Sequence, residues 1–200
     1  MQTSLIIDTE TSGKADHKAP ATSRLQPALL QLGAELVRGG KVMASINLLV
    51  NPGPEIEIPE EVVKLHGISR AVVERFGVTP VVAVGMFHNM AKKADRFVAH
   101  SLDFDLLIME ISYHRVSRYA NFLELNRIPR VCTMLSTKNV LKLPGKYKDY
   151  KWPSLEEAYK ALVDPAGFAD AHSAMADVMA CRKILDYLEE HKITLVGGKR

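Results

Sequence analysis

The sequence predicts a single α/β domain whose mixed central sheet, an antiparallel hairpin followed by parallel strands, is flanked by helices. Two features lead to this prediction: β-rich apolar stretches occur early in the chain, and later apolar stretches alternate with helical patterns. The chain has 200 residues, of which 47% are hydrophobic, which is enough for one core. We therefore expect one domain over residues 1–200, with a core at about 4–191 and a short C-terminal tail at 192–200.

The predicted strands begin with TSLII at residues 3–7, an apolar run that ends where acidic and turn-forming residues begin. A Gly-Gly pair at 39–40 is a two-residue hairpin signal, and it separates the β-rich stretches 28–37 and 41–50. This antiparallel pair is expected to lie beside the first strand. The other predicted strands are shorter and span 96–100 and about 129–132.

Helix boundaries are indicated by prolines and capping residues. Pro59 precedes a short helix, and Ser69 is placed to cap the next one. Pro80 occupies a first-turn position, while Ser154 and Glu157 form an S-x-x-E capping box. The predicted helices span about 60–66, 69–76, 80–94, 106–116, 154–163 and 173–191.

Charge and apolar patterning exclude several classes of protein. Charged residues make up 24% of the chain and the formal net charge is +3, which excludes a disordered polyelectrolyte and a strongly basic packaging protein. No signal peptide or run of about 20 apolar residues is visible, so we expect a soluble cytoplasmic protein without a membrane partner. Cys132 and Cys181 lack metal-type spacing and are predicted to be reduced core thiols.

Carboxylates follow the first predicted strand. Asp8 and Glu10 are two residues apart, so on an extended strand end both side chains point to the same side and one metal ion can contact both. The alternative is that they only begin a turn, since Asp, Thr, Ser and Gly favour turns. The pair alone does not decide between a metal site and a turn.

Two further acidic segments follow the same pattern. Asp103 suits a helix N-cap after the strand at 96–100, whereas Asp105 is the better site candidate. His172 and Asp177 are spaced too far around a helix to share one face. If that helix starts near residue 173, however, the histidine lies in the preceding loop and both side chains lean into one cleft. Taken alone, this pair fits a capping loop and a solvated acid better.

Together the three acidic segments indicate a metal site, because each places a carboxylate at the exit of a buried strand or the entry of a helix. Hard oxygen ligands without a Cys/His cluster favour Mg²⁺ or Mn²⁺ over structural zinc. Two such ions ~4 Å apart can bind a scissile phosphate, so that one generates hydroxide and the other stabilises the leaving 3′ oxygen. Phosphodiester hydrolysis is the reaction that this pattern favours.

Three motifs in the sequence resemble those of a known family. The segments IIDTETSG at 6–13, VAHSLDFD at 98–105 and HSAMAD at 172–177 resemble the three exonuclease motifs of the DEDDh family. The segment HGIS at 66–69 resembles the one usual between the first two motifs. This family includes the DNA polymerase III proofreading subunit, DnaQ, and ribonuclease T. The resemblance covers nearly the whole chain and implies a ribonuclease H-like fold.

The resemblance implies a 3′→5′ exonuclease that releases nucleoside 5′-monophosphates from DNA or RNA. Asp8, Glu10, Asp105 and Asp177 would bind two divalent cations, Mg²⁺ or Mn²⁺, and His172 would be the general base acting on the attacking water. The implied partner is nucleic acid with a free 3′ end, preferably single-stranded, and a polymerase or another replication or repair protein is a further partner it permits. The alternative is a non-catalytic nucleic-acid-binding or polymerase-associated subunit that retains the fold.

The resemblance also implies contacts to the terminal nucleotide. The residues that would line it, flank its base or pack near its sugar are Thr9, Thr11, Ser12, His66, Ile68 and Phe104. His66 fits equally well as a histidine that ends a helix before Gly67. The sequence departs from the family pattern at Ser101, where Asn is common. Serine keeps a hydrogen-bonding group there but has a shorter reach.

Two basic segments are further candidates for contact with nucleic acid. The first, residues 14–24, is longer than usual in the family, and we hypothesise that its cations contact substrate phosphate or a complementary strand. These cations are Lys14, Lys18 and Arg24. The second interleaves cations with aromatic side chains that suit stacking on single strands. Its members are Lys138, Lys142, Lys146, Tyr147, Lys148, Tyr150, Lys151 and Trp152. The alternative for the second segment is a solvated loop that Trp152 anchors to the core.

Overall fold

A five-stranded mixed sheet lies at the centre of the protein in a computed structural model, which describes residues 1–146 and 149–198. Its order is β3-β2-β1-β4-β5; the first three strands are antiparallel to their neighbours, whereas β4 and β5 run parallel to β1. The strands are β1 (Thr3–Thr11), β2 (Leu29–Arg38), β3 (Lys41–Leu49), β4 (Arg96–Ala99) and β5 (Arg130–Cys132). The predicted hairpin and parallel strands are confirmed.

Helices lie on both faces of this sheet. They are α1 (Glu60–His66), α2 (Arg70–Phe76), α3 (Pro80–Ala91), α4 (Leu102–Arg115), α5 (Tyr119–Leu123), α6 (Thr133–Leu141), α7 (Leu155–Leu162) and α8 (Ala174–Glu190). The six predicted helices are confirmed, and α7 begins with the predicted capping box. The sequence did not indicate α5, α6 or the 3-10 helix Glu124–Arg127. In α6 the Ser136 and Thr137 hydroxyls donate hydrogen bonds to backbone carbonyls one turn earlier, which satisfies these buried polar groups.

Alternate residues of β1 fill two separate layers of the core. Leu5 and Ile7 are fully buried in the layer that contains residues of α3 and α4. Ile6 points to the opposite face and packs with Val178 and Cys181 of α8. Cys132 and Cys181 are free and buried, which confirms the prediction of reduced core thiols. No helix in the described residues combines the length and apolarity needed to cross a membrane.

The first strand continues further than the sequence predicted. We expected it to end at residue 7, but β1 extends to Thr11 and pairs with β2 along this whole length. The β-branched residues Thr9 and Thr11 are buried within the pairing, so the polar composition did not end the strand. Asp8 and Glu10 therefore lie within a regular strand and not in a turn.

The segment that follows α8 packs back against the sheet. The carbonyl of Val196 accepts a hydrogen bond from the Cys132 backbone N–H at 2.8 Å, and the Val196 N–H donates to Ser136 Oγ at 2.9 Å. Leu195 packs against the apolar residues of α7 and α8. Residues 193–198 thus cover the outer edge of β5.

Candidate active site

The strand β1 directs two carboxylates toward α8. Asp8 and Glu10 lie two and four residues after Ile6, which packs on α8, so strand alternation sends all three side chains to the same face. Glu10 is buried and Asp8 is partly buried. The prediction that the two carboxylates share one side is confirmed by this pairing register.

The third carboxylate comes from the first turn of α4. Asp105 is buried, and its Oδ1 accepts a hydrogen bond from the Thr9 hydroxyl at 2.8 Å. Thr9 lies between the two acids of β1 and points to the opposite face, so its hydrogen bond joins α4 to β1. The expectation that Asp103 caps this helix is wrong, because Ser101 occupies the N-cap position and Asp103 lies in the first turn.

The fourth carboxylate and the histidine come from the start of α8. The helix begins at Ala174, so Asp177 lies in its first turn and His172 in the loop before it, as the sequence predicted. One ligand atom each of Glu10, His172 and Asp177 lies within 4.8 Å of the other two. His172 has a φ of +68°, a left-handed conformation that a non-glycine residue rarely adopts. This strained backbone conformation places the imidazole beside Glu10 and Asp177.

The site is strongly acidic, and burial opposes ionisation of its members. Burial, together with the charges of the three neighbouring acids, holds the pKa of Asp8 well above its usual range. Burial and the Asp177 and Asp105 charges raise the pKa of Glu10 to about 8. Burial also raises the pKa of Asp105 to about 7, against the hydrogen bond from Thr9. For Asp177 burial raises the pKa to about 6, although the nearby His172 lowers it.

These residues fit a divalent cation. In residues 1–146 and 149–198, no lysine or arginine forms an ion pair with any of the four acids. The buried Oδ1 atom of Asp177 has no hydrogen-bond donor among the described residues. Buried carboxylate oxygens without partners are costly, and a cation bound between them would supply the missing charge. The donor set is almost entirely oxygen, the type that Mg²⁺ and Mn²⁺ prefer.

The match to a protein family extends over most of the chain. Residues 5–185 match the family described as Exonuclease, of the RNase T type. The chain belongs to this exonuclease family. It is a DnaQ-like, DEDDh-type member, as the motifs implied. The mixed sheet with flanking helices is the ribonuclease H-like fold of its structural neighbours.

Several relatives resemble this exonuclease. A putative bifunctional exonuclease/endonuclease protein of Mycobacterium tuberculosis is 28% identical over 190 residues, which are 94% of this chain and 26% of that protein. Escherichia coli exonuclease I in complex with a dT13 oligonucleotide matches with a TM-score of 0.73 and 18% identity, over 96% of this chain and 41% of that one. A 3′-exonuclease that recognises the histone mRNA stem-loop matches with a TM-score of 0.68 and 14% identity, over 98% and 85% of the two chains. This chain thus spans well under half of the first two relatives.

Two residues of β2 that were not predicted from the sequence contact the first turn of α8. Gln31 lies opposite Glu10 in the sheet, and its Oε1 accepts a hydrogen bond from the Ala174 N–H at 3.2 Å. Gly33 lies opposite Asp8, and a Cβ there would come within 2.6 Å of the Ala174 backbone. A glycine inside a predicted strand is the signal that could have revealed this close approach.

We expect Gly33→Ala to lower activity about 100-fold, because the added Cβ must push the first turn of α8, and with it Asp177, away from Asp8. Stability should also fall, by about 1–3 kcal/mol, as overpacking requires. Gly85→Ala in α3 is the matched control, since a Cβ there meets no atom within 4 Å. Turnover and thermal melting of the two variants test the seating; equal activity of both would contradict it.

Several of the residues predicted to contact nucleotide use their polar side chains in hydrogen bonds within the protein. The Thr11 hydroxyl donates to the Gly13 carbonyl at 2.6 Å, and Ser12 Oγ accepts from the Ala28 N–H at 2.9 Å. His66 ends α1, and Gly67 caps it in the left-handed region, so the helix-ending interpretation is confirmed. Phe104 is partly buried against the main core.

His66 also links α1 to β1. Its Nδ1 lies 3.1 Å from the Ile68 N–H, which donates, so its Nε2 carries the proton and donates to the Thr11 carbonyl at 3.2 Å. Burial lowers the pKa of His66, and the nearby His172 lowers it further. The assignment of His66 and Ile68 to base contacts stays a prediction.

Proposed function

We propose that this protein is a metal-dependent 3′→5′ exonuclease that releases nucleoside 5′-monophosphates from DNA or RNA ends. The observation that carries the proposal is the convergence of Asp8, Glu10, Asp105 and Asp177, without a balancing cationic side chain in the described part of the chain, beside His172. Four buried or partly buried carboxylates repel one another and repel phosphate unless cations join them.

The four acids would hold two divalent cations, Mg²⁺ or Mn²⁺. When bound, such ions neutralise the scissile phosphate and favour ionisation of the attacking water and departure of the 3′ oxygen. His172 would accept the proton of the attacking water, because its imidazole is exposed to solvent and lies beside Glu10 and Asp177. The relative E. coli exonuclease I has also been solved in a zinc-bound complex with single-stranded DNA.

The proposed substrate is nucleic acid with a free, single-stranded 3′ end. Relatives with this fold are found with dT13 and with the histone mRNA stem-loop, so the fold serves both DNA and RNA. The carboxylates contact phosphate and cannot distinguish the two. In this proposal the backbone of residues 9–12 lines the terminal nucleotide, while His66, Ile68 and Phe104 surround its base and sugar. The cations of residues 14–24 and a polymerase or repair partner stay hypotheses.

The second candidate function is a non-catalytic nucleic-acid-binding subunit that retains the fold. A cluster of acids repels phosphate and would weaken simple binding of nucleic acid. A histidine at positive φ beside these acids would not contribute to such binding either. Both features favour the catalytic function.

Oligonucleotides labelled at the 3′ or the 5′ end test the direction of hydrolysis. We expect the 3′ label to be released first as a mononucleotide from single-stranded DNA or RNA, only in the presence of Mg²⁺ or Mn²⁺, and not when EDTA is added. Closed circular single strands, which have no 3′ end, should resist. Prior release of the 5′ label, or cleavage of the circles, would overturn the proposed direction.

A further inference from the structure

In the loop between α6 and α7, residues 142–146 pair with residues 149–152 through backbone contacts. Pro144 and Tyr150 form an antiparallel bridge, and the Lys151 N–H donates to the Leu143 carbonyl at 3.0 Å. Gly145 lets the two sides approach, since a Cβ there would lie 2.4 Å from the Asp149 carbonyl oxygen. Residues 147 and 148 of the predicted basic segment lie outside the described residues. The described residues on either side of them are held together by these backbone contacts.

A buried hydrogen-bonded chain joins this loop to the catalytic end of the sheet. The Pro153 carbonyl, next to the loop, lies 3.0 Å from His100 Nε2; because a carbonyl can only accept, Nε2 donates and Nδ1 accepts from the Thr133 hydroxyl at 3.0 Å. Thr133 Oγ1 in turn lies 3.5 Å from Cys181 Sγ, one helical turn after Asp177.

The position of His100 places the loop at the same end of the sheet as the carboxylates. His100 directly follows β4, which is parallel to β1, so the carboxyl ends of both strands lie together. Asp105 follows His100 by only five residues. Burial raises the pKa of the Cys181 thiol, and the charges of Asp8 and Asp105 raise it further. The hydrogen-bonded chain therefore runs from residue 153 to Cys181, four residues after Asp177.

The loop presents aromatic side chains to solvent. Trp152 is 61% exposed and Tyr150 is 40% exposed. The alternative that Trp152 anchors the loop to the core is wrong, because the neighbouring Pro153 is buried and provides the anchor through His100. An exposed tryptophan offers a large aromatic face for stacking.

The cations around these rings divide into two groups. Lys138 pairs with Asp149 at 2.8 Å and Lys151 pairs with Glu157, so these two brace the loop against α6 and α7. Lys142 and Lys146 are exposed, and no carboxylate of the described residues pairs with either. Two cations beside two exposed rings are complementary to a single strand, which offers phosphates and unpaired bases together.

We propose that Trp152 and Tyr150 are a stacking platform for unpaired bases of the substrate strand, with Lys142 and Lys146 contacting its phosphates. This inference rests on the proposed function and specifies its substrate class as single-stranded nucleic acid reaching beyond the active-site nucleotide. A fully paired duplex keeps its bases in the stack and offers none to the platform.

Fluorescence tests the platform directly, because Trp152 is the single tryptophan of the chain. In Mg²⁺ and the catalytically disabled Asp177→Asn background, we expect single-stranded DNA or RNA to quench Trp152 emission in parallel with binding, measured by the anisotropy of a labelled strand. A blunt duplex should leave the emission unchanged. Saturated single-strand binding without any change in Trp152 emission would overturn the proposal.

Substitutions separate stacking from charge. Trp152→Ala should weaken single-strand binding about 10-fold, whereas Trp152→Phe, which keeps an aromatic face, should stay within about 3-fold of the parent. Lys142→Gln with Lys146→Gln should reduce the slope of log affinity against log salt by about 1.4. Parent-like binding by Trp152→Ala would overturn the platform even if hydrolysis is normal. Quenching of Trp152 by single strands, combined with no hydrolysis by the parent protein that keeps Asp177, would overturn the proposed catalysis alone.

Discussion

Asp177→Asn is expected to reduce nucleotide release by about 10³-fold or more, since several kcal/mol of charge stabilisation depend on correctly placed cations. Asp177 joins α8 to the carboxylates of β1, and its Oδ1 has no hydrogen-bond donor in the described chain. Asparagine keeps the size of the side chain but removes the charge. The initial rate on a 3′-labelled single strand, measured over a range of Mg²⁺ and Mn²⁺ concentrations, gives the magnitude.

Glu190→Gln is the matched control for this substitution. It also converts an acid of α8 to its amide, but Glu190 is exposed at the far end of the helix. We expect it to keep the parental rate. If Asp177→Asn also kept the parental rate, or retained every measurable function of the protein, the catalytic function would be wrong and the non-catalytic subunit would be favoured.

The metal-free protein is expected to lose stability as the pH rises, and Asp8→Asn should reverse much of that loss. Each of the four acids has a folded-state pKa above its ordinary value, with Glu10 at about 8 and Asp105 at about 7. The folded protein therefore binds more protons than the unfolded chain between roughly pH 4 and pH 8. Protonated acids contribute stability that is fully present below about pH 4 and is lost as the pH rises through these folded-state values.

Thermal melting in EDTA measures this effect. For the parent protein we expect the Tm to fall by on the order of 10 °C between about pH 5 and pH 9, since each kcal/mol shifts the Tm of a domain of this size by about 2–4 °C. Asp8→Asn removes one charge from the cluster, so at high pH without metal it should melt above the parent. Glu190→Gln should follow the parental curve.

Metal addition provides the complementary measurement. At high pH, Mg²⁺ or Mn²⁺ should raise the Tm of the parent, because a ligand that binds only the folded state stabilises it by about 2.7 kcal/mol at 100 times its Kd. The increase should be much smaller for Asp8→Asn. A parental Tm that does not respond to either cation at any pH would contradict the assignment of the acids as metal ligands.

Much of this arrangement could be predicted from the sequence, because its signals are local. The Gly-Gly pair, the S-x-x-E box and the apolar runs each determine a turn, a cap or a strand, and the structure has all of them. The two-residue spacing of Asp8 and Glu10 likewise determines their common side. The start of α8 at residue 174 confirmed that His172 and Asp177 reach one cleft despite an unfavourable helical spacing.

The features that could not be predicted depend on contacts between distant segments. Polar residues at 8–11 favour a turn locally, yet pairing with β2 keeps them in a strand. The roles of Gln31 and Gly33 exist only because α8 packs onto β2 at that point. The same is true of His100, whose partners Thr133 and Pro153 come from two later segments of the chain. Apart from the glycine inside β2, the local sequence holds no signal for such contacts.

The seating of α8 on β1 and β2 also has a consequence for protein synthesis. The strand that holds Asp8 and Glu10 is synthesised well before the helix that holds Asp177. A nascent chain can form the hairpin and still possess only a pair of carboxylates, without the cleft that α8 completes. We therefore expect the proposed hydrolysis to begin only after α8 has left the ribosome and docked, so nascent chains on polysomes should be inert toward the RNA around them.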